Sequence, residues 1–273
     1  MLLISASAGI FTSSQAYAEE TKVTDKFRIA LGGYTIPSMD STVSLTDAEL
    51  GAGASISPQD TLGLKTEQTV FRLDGYYRFN NRHALTYSWY SIRSDGNKTI
   101  EEEFTWIDEN GNTITIPIGA RASTQMDYDI FKLGYLWSFY HSSKVELAAG
   151  AGLHITKVSI GLNVDDTSQG QTVEEKDVST TVPLPVLSFG LTYGVTPKFH
   201  WYLKSEVFAI AIDDWEGVYT DGSLGIEYRF WKNVGLGTGF GTNSLKVTEK
   251  TGEYKFSFDN RISGLVFYVA GYF

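Results

Sequence analysis

The chain has 273 residues and a formal net charge of −10, with 27 glycines, 6 prolines and no cysteine. The absence of cysteine excludes a disulfide framework, and the negative charge argues against nucleic acid as a partner. A chain of this length accommodates one β-barrel or one mid-sized soluble domain. Its 14% aromatic content is typical of barrels with aromatic girdles, although a secreted β-sandwich would also fit.

The N-terminal residues have the pattern of an export signal. An apolar run from Leu2 to Phe11 is followed by the small-x-small triplet Ala16-Tyr17-Ala18. This pattern predicts a secretory signal peptide over residues 1–18 and a barrel domain over residues 19–273. No Lys or Arg precedes the apolar run, which suggests a truncated or misassigned translation start. No later segment reaches the roughly 18 to 20 consecutive apolar residues of a membrane helix, so any membrane span must be β.

Alternating apolar and polar residues predict ten strands after the leader. The alternation is cleanest over Thr69–Phe79, where Phe71 and Leu73 share one face and Arg72 and Asp74 the other. In chain order the predicted strands run through Phe27, Phe71, Leu85, Phe131, Val145, Leu187, Trp201, Leu224, Val234 and Ile262.

Short and long connections alternate along this series. The tight turns lie at Asn80-Asn81, His141–Ser143, Thr196–Lys198 and Trp231–Asn233, and the longer loops at Asp47–Lys65, Asp95–Arg121, Asn163–Ser179, Asp213–Gly217 and Lys246–Lys255. This arrangement predicts an all-β fold, a transmembrane antiparallel up-and-down barrel of about ten strands with periplasmic turns and extracellular loops. Eight strands would require the first strand and its partner to be misread. Twelve would require Leu50 to Ile56 to join the wall.

The parity of the alternation assigns side chains to lipid or lumen. Apolar residues of one parity are predicted to contact lipid, and they include Phe71, Leu133, Tyr135, Leu224 and Ile226.

The last stretch, Ile262–Phe273, alternates apolar residues and ends on an aromatic one. It resembles the closing strand of bacterial outer-membrane β-barrels, whose assembly machinery reads a terminal aromatic preceded by alternate hydrophobics. Gly271 departs from the aromatic usual at its place. The resemblance implies that Phe273 is an assembly signal, that the protein resides in the outer membrane of a Gram-negative bacterium, and that its partners are the barrel-assembly machinery, membrane lipid and lipopolysaccharide.

Several runs carry a narrower resemblance. They are Asp60–Leu64 (DTLGL), Thr69–Phe79 (TVFRLDGYYRF), Arg82-His83 and Pro183–Leu187 (PLPVL). Together they resemble a family of largely uncharacterised proteobacterial β-barrel proteins. This resemblance implies location and fold, and it implies no activity.

The predicted lumen face carries charges of both signs. Near-balance in a narrow barrel predicts ion pairs that fill the lumen, because an unpaired buried charge is costly; a conducting lumen is the alternative. The residues are Arg28, Arg72, Arg78, Lys132, Lys204 and Arg229, with Asp74, Glu146, Glu206, Asp221 and Glu227. A five-residue loop at Asp213–Gly217 would place Lys204 opposite Glu227. Lys204, Glu227 and Arg229 would then form a plug, in volume left free by Gly235, Gly237 and Gly239.

Two polar residues, His154 and Ser188, are weaker candidates. If the loop between their strands is symmetric, His154 faces Ser188, which in turn faces Glu206. These are residue types used in acyl transfer, but the base would not stand between nucleophile and acid, so a hydrogen-bond network is the plainer interpretation.

No motif of a known barrel enzyme is present. The chain lacks the H-x-G-x-S-x-N of outer-membrane phospholipases, and no His lies where omptin proteases need one. We therefore predict no enzyme activity and no cofactor. The run beginning at Asp108 fails as an EF-hand because its sixth and twelfth places do not fit.

The acidic residues are concentrated in the predicted loops, which together are more negative than the whole chain. Such loops predict either divalent cations that bridge to lipopolysaccharide phosphates or simply a soluble surface. The sequence predicts a non-enzymatic structural or surface-interaction protein with a charge-plugged lumen. A narrow passive channel is the second interpretation and a lipid A-modifying enzyme the third.

Overall fold

The computed structural model describes residues 25–47, 53–101, 103–107, 113–166, 171–252 and 254–273. The predicted signal peptide, residues 1–18, lies outside the described residues and stays a prediction. No helix in the described part of the chain is long and apolar enough to cross a membrane.

The described residues form strands and a single short helix, α1 (Pro58–Leu62). The strands are β1 (Phe27–Asp47), β2 (Gly53–Ile56), β3 (Gln68–Asn80), β4 (His83–Thr99), β5 (Phe104–Ile107), β6 (Thr113–Ile116), β7 (Arg121–His141), β8 (Val145–Asp166), β9 (Gln171–Thr196), β10 (Phe199–Ile212), β11 (Trp215–Trp231), β12 (Val234–Lys250) and β13 (Tyr254–Tyr272).

Ten of the described strands form a closed antiparallel wall. Their order is β1, β3, β4, β7, β8, β9, β10, β11, β12 and β13, and β13 pairs with β1 to close the barrel. The closing ladder runs from Arg28↔Tyr272 to Asp47↔Tyr254. The predicted ten-stranded barrel is confirmed. Neither alternative holds, because β2 only pairs with the loop end of β1 and adds no strand to the wall.

The extracellular ends of the strands reach further than the sequence predicts. The span Asn163–Ser179, predicted to be loop, continues both strands of one hairpin, with β8 ending at Asp166 and β9 beginning at Gln171. The span Asp95–Arg121 likewise contains the ends of β4 and β7 and the separate hairpin β5–β6. These extensions lack the clean apolar–polar alternation of the membrane strands, although their ladders continue.

The outer surface of the wall carries an apolar belt. Phe71, Leu133, Tyr135, Leu224 and Ile226 are all exposed, between 42% and 55% of their surface, as their parity predicts. A barrel that shows large apolar side chains outward around its wall is built to face lipid.

The inside of the barrel is divided into two halves. The periplasmic half holds charged side chains, described below. A buried apolar cluster, which the sequence did not predict, occupies the loop-side half and continues towards the periplasmic end through Tyr268, Ala270 and Tyr272. We call its loop-side part the apolar cap: Tyr34, Ile36, Met39, Leu64, Tyr90, Ile92, Met126, Tyr128, Ile130 and Ile262.

One member of the apolar cap comes from a loop rather than from the wall. α1 begins after the N-cap Ser57 and ends at Gly63, whose positive φ of 70° lets the chain reverse. The reversal places Leu64 inside the mouth, 5% exposed, where it forms an isolated bridge to Gly96. The Ser94 hydroxyl fixes the segment further by donating to the carbonyl of Lys65 at 2.6 Å. The first loop therefore folds into the barrel.

Candidate functional site: the charged lumen

The predicted inward charges lie on the inner face of the wall and form groups of contacts that cross the lumen. The first group is centred on Arg28 of β1. Its guanidinium contacts Asp74 of β3 at 2.8 Å and Glu227 of β11 at 2.7 Å. His200 of β10 approaches the second oxygen of Glu227 at 3.3 Å. Arg28 therefore ties β1 and β3 to β11, across β12 and β13.

The second group is centred on Lys132 of β7. Its ammonium contacts Glu206 of β10 at 3.1 Å and Asp221 of β11 at 2.7 Å. His154 of β8 adds its Nε2, 3.1 Å from the same Glu206, and its Nδ1 lies 3.0 Å from the Tyr219 hydroxyl. Four strands meet in this group, so it fixes the middle of the lumen.

Two further pairs lie towards the periplasmic end. Arg78 of β3 binds Glu146 of β8 through both carboxylate oxygens at 2.8 Å, which is the bidentate geometry favoured by arginine. Arg229 of β11 contacts Asp25, which lies two residues before β1. Asp25 therefore joins β11 at this end of the lumen.

Two cations have weaker contacts. Arg72 approaches Asp74 only at 3.8 Å. Its guanidinium lies over two tyrosine rings, with Cζ 5.8 Å from the ring centroid of Tyr34 and 5.4 Å from that of Tyr90. Lys204 has no carboxylate within 4.0 Å among the described residues, and its ammonium lies 5.4 Å from the centre of the Tyr202 ring. Both face a cavity of about 160 Å³ that the charged groups surround.

The predicted plug of Lys204, Glu227 and Arg229 is wrong. The turn between β10 and β11 contains only Asp213 and Asp214, and Asp213 has a φ of 50°. The tighter turn shifts the register, so Lys204 pairs with Ser223 while Glu227 pairs with His200. The lumen is crossed by Arg28 and Lys132 instead.

Tyrosine rings, rather than Glu227 and Arg229, fill the volume beside the inward glycines. A Cβ on Gly237 would lie 2.1 Å from the Tyr268 ring, and one on Gly225 would lie 2.5 Å from the Tyr202 ring. These glycines allow the rings to lie flat against the strands. Substitution at either would force a ring away from the wall.

The predicted facing of His154 and Ser188 is also wrong. His154 pairs with Leu184 and Ser188 with Gly150, so the two side chains are not opposite each other. Ser188 does lie opposite Glu206, as predicted, and its hydroxyl donates to that carboxylate at 3.4 Å. Glu206 therefore stands between Ser188 and His154. A nucleophile must contact its base, so this order does not activate the serine.

The sequence reading missed four contributors to the lumen: Asp25, His200, Tyr219 and Asn243. His200 lies at the periplasmic end of β10 and Asp25 precedes β1, so neither belongs to the alternation of a membrane strand. Tyr219 and Asn243 extend the Lys132 group, with the Asn243 amide donating to the Tyr219 hydroxyl at 2.6 Å. Tyr219 has the parity of Asp221 on β11, and Asn243 has the parity of Gly237 and Gly239 on β12, which was the available signal.

Phe273 lies at the base of the closing ladder. Its amide and carbonyl exchange hydrogen bonds with those of Phe27, both at 2.9 Å, and its side chain is exposed. Its role as an assembly signal stays a prediction. The described residues contain no cluster of three His, Asp or Glu side chains that could hold a metal ion. Asp108 and the rest of the failed calcium motif through Asn112 lie outside the described residues.

Known proteins resemble this chain in fold but not in sequence. No protein-family model and no curated protein matches the chain. The outer membrane protease OmpT of Escherichia coli is similar in structure, with 10% identity and a TM-score of 0.50 over 92% of this chain and 99% of OmpT. The toluene transporter TodX of Pseudomonas putida has 10% identity and a TM-score of 0.34, over 92% of this chain and 91% of its own. Neisserial surface protein A has 14% identity and a TM-score of 0.30, over 91% of this chain and 97% of its own.

These identities transfer no activity, and only the likeness to OmpT is close enough to bear on architecture. It concerns nearly the whole length of both chains. Together with the closed ten-stranded wall and its apolar outer belt, it identifies the chain as an integral β-barrel of the Gram-negative outer membrane.

Proposed function

We propose that this protein is a non-enzymatic, non-conducting outer-membrane barrel that acts through its extracellular surface. The observation that carries the proposal is a lumen occupied at two levels. Arg28 joins carboxylates on β3 and β11, Lys132 of β7 reaches a carboxylate pair on β10 and β11, and the apolar cap with Leu64 occupies the barrel above them.

The length of the strands supports a role outside the membrane. A membrane-crossing β-strand needs about 9–11 residues, whereas β8 and β9 have 22 and 26. More than half of this hairpin therefore belongs to the extracellular part. Acidic residues in these extensions would recruit divalent cations and, through them, lipopolysaccharide phosphates.

Conductance in planar bilayers tests the closed lumen. The wild-type protein should show no steady single-channel current. A variant with Arg28→Ala and Leu64→Ala loses one lumen-filling side chain from each half of the barrel and should conduct. The control Leu133→Ala, on the outer face, should not. Steady current through the wild-type protein would replace this proposal with the passive channel, which the 160 Å³ cavity favours as the second candidate.

Mass spectrometry of lipid A tests the absence of enzyme activity. Cells with and without the protein should yield the same lipid A species, because His154 and Ser188 do not form a nucleophile–base pair. A new species that disappears with Ser188→Ala would establish an enzyme instead.

A further inference from the structure

The wall of the barrel is not continuously paired on its loop side. β9 and β10 pair from Phe199↔Thr196 to Val207↔Leu187, and the ladder ends there. β9 continues along β8 and β10 continues along β11, but the two strands do not pair with each other beyond Leu187 and Val207. We call the unpaired stretch between residues 182–186 of β9 and 208–212 of β10 the seam.

The seam begins near the outer boundary of the membrane. A crossing strand takes about 9–11 residues, and the paired stretch of β9 from Thr196 to Leu187 is of that length. Leu187 and Val207, at the foot of the seam, both point outward and are exposed, which makes them part of the lipid-facing belt. The seam is therefore continuous with the surface that contacts the outer leaflet.

Both edges of the seam are apolar on both faces. Barrel strands normally alternate, but β9 reads Val-Pro-Leu-Pro-Val-Leu over residues 182–187 and β10 reads Val-Phe-Ala-Ile-Ala-Ile over residues 207–212. The inward members pack in a cluster: Leu184 and Val186 are buried with Tyr219, and Phe208 packs against them. Because apolar side chains flank both unpaired edges on both faces, contact with hydrocarbon is more favourable at the seam than contact with water.

The prolines explain why the ladder stops and what can occupy the gap. Pro183 and Pro185 supply no amide donor, and proline in sheets is confined to edges. An edge without these donors is a poor template for an added protein strand. A hydrocarbon chain needs no such donors, and the carbonyl and phosphate groups of a lipid, with water, would reach the unpaired backbone of 208–212 near the headgroups.

We propose that the seam receives one acyl chain of an outer-leaflet lipid, which passes between β9 and β10 and rests against Leu184, Val186 and Phe208 inside the wall. This site lies above the Arg28 and Lys132 groups, so it does not depend on whether the lumen conducts.

Photo-crosslinking tests the proposal with the full chain in bilayers of phosphatidylcholine that carries a diazirine on one acyl chain. Labelling should appear on the inward-facing Val186 and Phe208 as well as on the outward-facing Leu133. The buried cap residues Ile92 and Ile130, which are also inside the barrel but remote from the seam along the wall, should remain unlabelled. An absence of label on Val186 and Phe208 overturns the proposal.

Two variants test the route. Ala209 and Pro185 would face each other if the ladder continued, and the chain has no native cysteine. Oxidised Pro185→Cys/Ala209→Cys protein should lose the label on Val186 while keeping it on Leu133. Phe208→Arg, which needs no disulfide to form, should also lose the label on Val186. Persistence of inner labelling in either variant overturns the route through the seam.

A second probe distinguishes the source of the chain. A diazirine fatty acid added to unlabelled bilayers supplies the same hydrocarbon without a diacyl headgroup. Labelling of Val186 by the phospholipid supports an outer-leaflet lipid. Labelling by the free fatty acid alone would overturn that assignment in favour of a soluble amphiphile.

Discussion

The two halves of the lumen are held together by different physical means. In the periplasmic half, a few charged residues reach across the barrel and join strands that are distant in the sheet, as Arg28 does between β1 and β11. In the loop-side half, the apolar cap fills the space by packing, with Tyr34 and Tyr90 in edge-to-face contact at 5.8 Å.

Charged and apolar side chains are tolerated in the lumen under different conditions. A charged pair inside a barrel is stable only when each member is matched, so the periplasmic half depends on particular partners and on register. The apolar cap depends on volume and shape, and a loop residue such as Leu64 can contribute as well as a strand residue. Arg72 lies between the two halves of the lumen, since it is beside Asp74 and over the tyrosine rings of the apolar cap.

The largest expected effect is in the charged half. Lys132→Met should destabilise the folded barrel by about 3–5 kcal/mol because it leaves Glu206 and Asp221 buried without their cation. The free energy of unfolding can be measured by urea titration of the heat-modifiable band in detergent.

Lys204→Met is the matched control for that change. The same substitution on the inner face removes an ammonium that has no carboxylate within 4.0 Å among the described residues, so stability should change little or rise. Equal losses in the two variants would contradict the pairing described for the lumen.

A smaller loss is expected in the apolar cap. Ile92 is fully buried, so Ile92→Ala should lower the free energy of unfolding by about 3 kcal/mol through lost burial and the cavity left behind. Ile92→Val should cost much less. Combined with Glu227→Gln in the other half, Ile92→Ala should be additive in urea titrations; strong coupling would mean that the two halves are one unit.

The outer belt provides a comparison outside the lumen. Leu133→Arg places a charge in lipid next to Lys132 in sequence but on the other face, and should cost about 2–4 kcal/mol near the midplane. Ser223→Arg, which points into the lumen, should be milder. Refolding into vesicles measures both, and equal penalties would contradict the assigned parity.

The smallest effect is expected at the extracellular rim. The Lys250 ammonium donates a hydrogen bond to Glu216 at 2.8 Å, and this contact lowers the pKa of the carboxyl below its ordinary value. Because the folded-state pKa of Glu216 is depressed, the pair contributes to folding stability above the ordinary glutamate pKa. This contribution disappears as the pH falls through the pKa that Glu216 has in the folded protein. Glu216→Gln should therefore match the wild type in acid and differ from it only slightly at neutral pH, since the pair is exposed. A large neutral-pH difference in urea titrations would contradict this.

Much of the fold was encoded in local pattern. The period-two alternation of Thr69–Phe79 and its counterparts predicted the ten wall strands, the lipid face and the side of the charged residues. Such alternation can be recognised because each membrane strand faces lipid on one side and the lumen on the other. The parity of a residue in its strand therefore decides its environment.

Register and long-range contact were decided only by the tertiary structure. A turn of two residues rather than five moved Lys204 away from Glu227, and nothing local distinguishes those turns. The contact of Arg28 with Glu227, the insertion of Leu64 and the end of the β9–β10 ladder each join residues far apart in the chain. Local pattern therefore specifies which residues face inward, whereas closure of the barrel specifies which of them meet, because partners across a lumen are set by the stagger of all ten strands together.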